Sequence, residues 1–233
     1  MNRASLAAVC AAAGLSVAIP AFAQPDASPR PRSLELSVSA FALGGVDFGQ
    51  HTASLTANDP GNPDFALFKT SARIGTAPGL DARATFNVTR TFGVEGAFTW
   101  TRQTAEAEIT SDAEGIPNTT VSETLSTYFI EAAAVIHLRR LQFGGGRGIP
   151  FVFGGGGYLR QLDGDAFLID TGTVLDAGAG VKYFFVNRPG GLVRGVGLRA
   201  DGRLYVRSGG LELDDEKTRR PTWGMAAGVV VRF

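Results

Sequence analysis

The sequence predicts an all-β chain in which eight antiparallel strands close up-and-down into a transmembrane β-barrel. Three observations predict it. Eight segments of about ten residues alternate apolar with polar side chains at a period of two, the spacing of a strand with one greasy face. The connections between them alternate between short and long. After the N-terminal segment no apolar run reaches the roughly 18 residues that a membrane-crossing helix needs.

Composition agrees. The 233 residues carry a formal net charge of +0, and 19% are charged, below the roughly 25% of soluble domains. The balance lacks the basic footprint of a nucleic-acid binder. A mean hydropathy of +0.07 suits a barrel whose strands show one face to lipid and one to a polar interior.

The chain divides into residues 1–23, 24–33 and 34–233. Arg3, the apolar stretch Leu6 to Pro20, and Ala21-Phe22-Ala23 form a secretory signal with Gln24 as the first mature residue. Cys10, the single cysteine, lies inside it. Without disulfides an exported chain needs another source of stability, and complete strand pairing is one. Residues 24–33 are Pro-rich and read as a flexible leader.

Each strand is set by its alternation. Strand one, Leu34–Leu43, opposes Leu34, Leu36, Val38, Ala40 and Ala42 to Glu35, Ser37 and Ser39. A long connection, about 44–78, contains the turn cluster Asn58–Pro63, and Phe65–Ile74 is expected to prolong strand two beyond the membrane. Strand two, Gly79–Val88, opposes Leu80, Ala82, Ala84 and Phe86 to Asp81, Arg83 and Thr85. After the short turn Thr89–Thr91, strand three, Phe92–Thr101, opposes Phe92, Val94, Phe98 and Trp100 to Glu95, Ala97 and Thr99. A polar stretch to Glu123 leads to strand four, Ser126–Leu138, with Tyr128, Ile130, Ala134 and Ile136 against Glu131, Val135 and His137. In strand five, Phe151–Gln161, the phase is chosen to put Phe151, Phe153 and Leu159 on the apolar face and Arg160 on the polar one. Strand six, Val174–Phe185, opposes Leu175, Ala177, Val181, Tyr183 and Phe185 to Asp176 and Lys182. Strand seven, Gly195–Arg207, opposes Val196, Leu198, Leu204 and Val206 to Arg199, Asp201, Arg203 and Arg207. Strand eight, Trp223–Phe233, ends on an aromatic. Such a strand would be an aggregation-prone edge unless strand one pairs with it.

Alternation alone also fits a soluble lipocalin-like barrel. Two features favour a membrane. Trp100, Tyr128 and Trp223 sit at the long-loop ends of their strands; Phe86, Phe92, Phe151, Phe153, Tyr183, Phe185 and Phe233 sit toward the short turns. Two aromatic girdles around an aliphatic band match a bilayer. The polar parity carries Glu35, Asp81, Glu95, Glu131, Asp176 and Asp201 against Arg83, Arg160, Lys182, Arg199, Arg203 and Arg207. Opposite charges at mid-strand suit a narrow shared interior where they pair, and an eight-stranded barrel is just wide enough for side chains to fill.

The terminus adds a resemblance. Gly228 and Phe233 match the C-terminal assembly signal of outer-membrane β-barrels, while Val231 stands where an aromatic is usual. With the Gly-aromatic strand 151–158, the stretch 34–233 resembles the small eight-stranded barrels of the OmpA, OmpX and OmpW kind. That resemblance implies a bacterial outer-membrane location, insertion by the barrel-assembly machinery, outer-membrane lipid as surroundings and exposed outer loops. It implies no single role. The peptidoglycan-binding domain that follows some OmpA-type barrels is absent from this sequence.

Little else points to chemistry. His51 falls in the first long connection and His137 at the short-turn end of strand four, so no shared metal site is expected, and each reads as a surface or rim residue. No Ser–His–acid group is placed for hydrolysis. Gly144–Gly146 and Gly154–Gly157 lack the Lys-Ser/Thr of a phosphate loop. Asp214-Asp215-Glu216 reads as a solvated loop tip. The expectation is a non-enzymatic monomer without cofactor or nucleic-acid partner. Its lumen is mostly filled by a polar network, and its role is structural or exerted through outer loops whose ligand the sequence does not name. The alternative is a narrow porin-like channel or conduit for small or hydrophobic solutes.

Overall fold

The computed structural model describes residues 27, 29–55, 65–110, 118–162, 168–209 and 219–233. The signal, the Asn58–Pro63 turn and Asp214–Glu216 lie outside them. Ten strands run in chain order: β1 (Ser33–Leu43), β2 (Val46–Leu55), β3 (Phe65–Ile74), β4 (Ala77–Asn87), β5 (Phe92–Thr110), β6 (Thr119–His137), β7 (Gly148–Leu162), β8 (Leu168–Asn187), β9 (Gly195–Gly209) and β10 (Arg219–Arg232). One 3₁₀ turn, Arg139–Leu141, interrupts the β6–β7 connection.

Eight of the strands form a closed antiparallel ring in the order β1-β4-β5-β6-β7-β8-β9-β10, with β5 paired to β6 and β10 returning to β1. Neighbours in the ring are successive barrel strands, the up-and-down meander expected. The seam is held in register by Glu35 opposite Arg232, Val38 opposite Val229 and Ala42 opposite Met225. Phe233 adds one further bond, its N–H donating to the Leu34 carbonyl at 2.8 Å. Closure leaves the ring without a free edge.

The connection expected over 44–78 is itself a hairpin. β2 and β3 pair with each other, and β3 pairs with the far end of β5, Lys69 opposite Thr110. β5 and β6 each run 19 residues and β8 runs 20. A tilted crossing takes about 9–11 residues, so these strands project well past the barrel at the long-loop end. The stretches 102–110 and 119–123 look loop-like because the projecting ribbon is rich in Thr, Ser and Glu, and its apolar face is only the small Ala105 and Ala107 with Val121 and Ile109. Thr and Val favour strands wherever a partner is available.

The outer wall is the inverse of a soluble protein's surface. Val38, Ile130, Leu175, Leu198, Leu204 and Met225 are exposed while Glu35, Glu95, Arg199 and Lys182 are buried. Only a hydrocarbon surrounding makes that arrangement favourable: each ring strand is hydrogen-bonded on both sides, and the apolar face meets lipid. Trp100, Tyr128, Trp223, Phe86, Phe92, Tyr183, Phe185 and Phe233 all stand at outward positions near the two rims.

The described part of the leader is docked under the short-turn end. Ala27 is buried, and its carbonyl accepts from an Arg232 Nη at 2.6 Å. Arg30 donates to the Pro189 carbonyl at 2.8 Å.

The placement of the indoles is directly checkable. Both tryptophans face outward at one rim, so lipids brominated near the headgroup should quench the reconstituted protein's fluorescence strongly. Lipids brominated at the chain end should quench it less, and an absence of quenching would contradict the outward placement.

Candidate functional site

The distinctive site is the interior. β4, β5 and β9 each turn their polar parity inward, and the ring geometry brings β9 across the lumen from β4 and β5. Asp81 and Arg83 come from β4, Glu95 from β5, and Arg199, Asp201 and Arg203 from β9. All six are buried.

They form a closed ring of alternating charge. Arg83 Nε donates to Asp81 at 2.9 Å, and one Arg83 Nη donates to Glu95 at 2.7 Å. Arg199 grips Glu95 with both Nη groups, at 2.6 and 3.0 Å, and its Nε reaches Asp201 at 3.0 Å. Arg203 Nε donates to Asp201 at 2.9 Å, and an Nη returns to Asp81 at 3.1 Å. Hydroxyls complete the carboxylates: Thr85 donates to Glu95 at 2.5 Å and Thr99 to Asp81 at 2.8 Å. Paired, bidentate geometry of this kind is what makes burying such charges tolerable.

A second cluster lies nearer the short turns. Glu35 on β1 accepts from Lys182 on β8 at 2.5 Å and from Arg232 Nε on β10 at 2.9 Å. Glu131 stands 3.6 Å from Arg83. Asp176 is buried with no hydrogen-bond partner for its carboxylate among the described residues. At the opposite, long-loop end of β9, Arg207 is buried and partnered.

The phase expected for strand five needs correction at four positions, Phe151, Phe153, Leu159 and Arg160, with Leu159 fully buried. Phe151 and Phe153 are 1% and 5% exposed and point inward, whereas Arg160 is exposed on the outer wall beside Tyr128. β7 offers Phe, Gly and Leu on one face and Val, Gly and Tyr on the other, so both faces are apolar and one arginine decided the phase wrongly. The inward rings lie beneath the cations. Phe151 sits 4.8 Å from the Arg199 guanidinium carbon and 5.2 Å from Lys182 Nζ, and Phe153 sits 5.5 Å from that of Arg83. Such contacts are favourable once desolvated. β8 makes room for them: a Cβ at Gly178 would meet Phe153 at 2.5 Å, and one at Gly180 would meet Phe151 at 2.6 Å. A further correction is His137. It is 1% exposed inside the barrel, 6.5 Å from the Phe151 ring, and not at the surface. His51 is exposed on the β2–β3 hairpin, at the opposite end.

Arg232 is the member that sequence reasoning left out. It is 2% exposed and takes the place assigned to Arg160, so among the described residues the buried charges still number six acids and six bases, apart from His137. Its signal was available: it shares the polar parity of the last strand and lies opposite Glu35 once β1 and β10 are aligned end to end. Apolar layers flank the charges. Toward the long loops lie Phe41, Leu43, Phe129, Leu159 and Tyr205, with Tyr205 and Phe129 stacked at 5.3 Å. Toward the short turns lie Ala27, Ile149, Phe184 and Val230. Among the described residues no group of three or more His, Cys, Asp and Glu could hold a metal ion.

The outer membrane protein OprG from Pseudomonas aeruginosa matches with a TM-score of 0.53 at 11% identity, over 90% of this chain and 99% of that one. The chain has the fold of the small eight-stranded outer-membrane barrels. Ail of Yersinia pestis matches at 13% identity over 87% of this chain and 99% of that one, with a TM-score of 0.42. Neisserial surface protein A matches at 14% identity over 86% and 97%, with a TM-score of 0.43. No protein-family model and no curated protein matches the chain.

Inside and outside arginines should differ sharply on mutation. Glu95→Gln, which leaves Arg83 and Arg199 short of a counter-charge, should cost about 3–5 kcal/mol. Arg160→Ala should stay within about 0.5 kcal/mol. Urea unfolding in detergent, followed by tryptophan fluorescence, measures both.

Proposed function

We propose that this chain is a monomeric, integral outer-membrane protein of a Gram-negative-type bacterium, with a lumen closed to solutes and with its role exerted structurally or through its long loops. The observation that carries the reading is the ion-paired ring of Asp81, Arg83, Glu95, Arg199, Asp201 and Arg203, stacked between apolar layers within the barrel. A solute would have to break several buried ion pairs and then displace packed rings such as Phe129 and Tyr205. Each broken pair costs several kcal/mol, which is prohibitive for passive flow.

Location follows from three supports: the apolar wall, the secretory signal read at residues 1–23, and a fold shared with a protein described as an outer membrane protein. The short turns then face the periplasm and the projecting strands face outward, the asymmetry of bacterial barrels. Insertion by the barrel-assembly machinery belongs to the same reading. Gly228 suits a closing strand, since a Cβ there would come within 2.0 Å of the Val38 carbonyl. The reading assigns no catalytic step and no cofactor. What the outward surface binds is left to the β2–β3 hairpin and the loops.

Planar-bilayer recording of the refolded protein tests the closed lumen. The expected result is a baseline without steady openings. Stable, voltage-linear conductance would overturn it in favour of a narrow channel.

A further inference from the structure

We infer that the short-turn rim is a binding surface for anionic phospholipid headgroups, formed by a collar of arginines with apolar side chains between them. Its orientation toward the inner leaflet rests on the function proposed above; the collar itself does not.

Three turns close this end of the barrel. Arg90 lies in the first, Arg139, Arg140 and Arg147 in the second, and Arg188 and Arg194 in the third. Arg30 and Arg32 of the docked leader join them, Arg30 being tied to the third turn through Pro189. The segments 29–33, 88–91, 138–148 and 188–194 contain no Asp or Glu. Among the described residues Arg90, Arg139, Arg140, Arg188 and Arg194 make no ion pair, and the first four are exposed. This contrasts with the lumen, where acids and bases balance. It also contrasts with the projecting strands, where Arg73 pairs with Glu106. Among the described residues, the positive charge of Arg90, Arg139, Arg140, Arg188 and Arg194 at this end is therefore not neutralised by an acidic side chain.

The same turns expose greasy side chains. Leu192 is 83% exposed, Leu141 63% and Phe143 50%. Phe143 packs toward Tyr183 of the girdle, ring centres 6.4 Å apart, so these side chains continue the lipid-facing wall. Leu141 follows Arg140 directly, and Leu192 stands two residues before Arg194. Apolar residues entering the interface beside guanidiniums at phosphate level are the pattern of a membrane-surface contact. A cation near an anionic lipid surface is worth about a fivefold gain in equilibrium constant. Arginine also forks onto two phosphate oxygens where lysine offers a point charge. Leu192 at such exposure argues against a purely aqueous partner, such as an anionic glycan, because nothing would cover it.

The experiment uses the protein in nanodiscs of phosphatidylethanolamine with a minor share of phosphatidylglycerol. Co-purified lipid is quantified by mass spectrometry after mild detergent extraction. The wild type should retain phosphatidylglycerol several-fold above its bulk share, and high salt should reduce that excess. The variant Arg139→Gln/Arg140→Gln/Arg188→Gln should lose the several-fold excess and fall to about the bulk share, while Arg73→Gln, on the projecting strands, should keep it. Heat-dependent gel mobility verifies that each variant is a folded barrel. A folded triple variant with unchanged preference would overturn the inference, and so would a wild type with none, while leaving the barrel reading standing. Displacement of the lipid by millimolar inorganic phosphate would assign the site to free phosphate instead. Retention on peptidoglycan sacculi without lipid preference would give it to the glycan.

Discussion

The ring of three carboxylates and three guanidiniums across the lumen is the constraint on which the rest of this structure depends. Each member touches two others of opposite sign, so none can be removed or rotated away without stranding a neighbour. The ring also fixes strand register. Asp81 and Arg83 are two residues apart on β4, and Arg199, Asp201 and Arg203 alternate on β9. A slip of one residue on either strand would carry these charges to the lipid face. Charge placement thus selects one alignment of strands from opposite sides of the barrel, which backbone hydrogen bonds alone do not distinguish.

The remaining interior adapts to the ring. Phe151, Phe153 and Phe41 lie against its cations, and glycines on β8 vacate the space their rings fill. Below it, Glu35 joins β1, β8 and β10 through Lys182 and Arg232, so the seam where the barrel closes is bolted by charge as well as by backbone. The docked leader caps that cluster through the Ala27 carbonyl. Stability without disulfides is accounted for by a closed strand ladder outside and a mutually supporting ion-pair network inside.

The sequence made the barrel legible because a bilayer and a polar interior impose a period of two wherever the wall crosses lipid. Strands such as Gly79–Val88 and Gly195–Arg207 carry that period cleanly, and their inward charges are the ones that meet. Legibility failed where the contrast between faces failed. β7 has glycine and aromatics on both parities, so Arg160 misdirected its phase. The β2–β3 hairpin and the far ends of β5 and β6 lie beyond the lipid, where neither face needs to be apolar. Which carboxylate meets which arginine was not legible either. That depends on the strand order around the ring and on the stagger of the barrel, which place β9 against β4 and β5 although more than a hundred residues separate them.

A double-mutant cycle between Glu95 and Arg199 tests the central claim most directly. Unfolding free energies are measured for the wild type, Glu95→Gln, Arg199→Gln and the double variant, all in the same detergent. The account predicts a coupling of about 1–3 kcal/mol, with the double variant clearly more stable than the sum of the single losses. Strictly additive losses would mean that these two side chains do not meet across the lumen, and would contradict it.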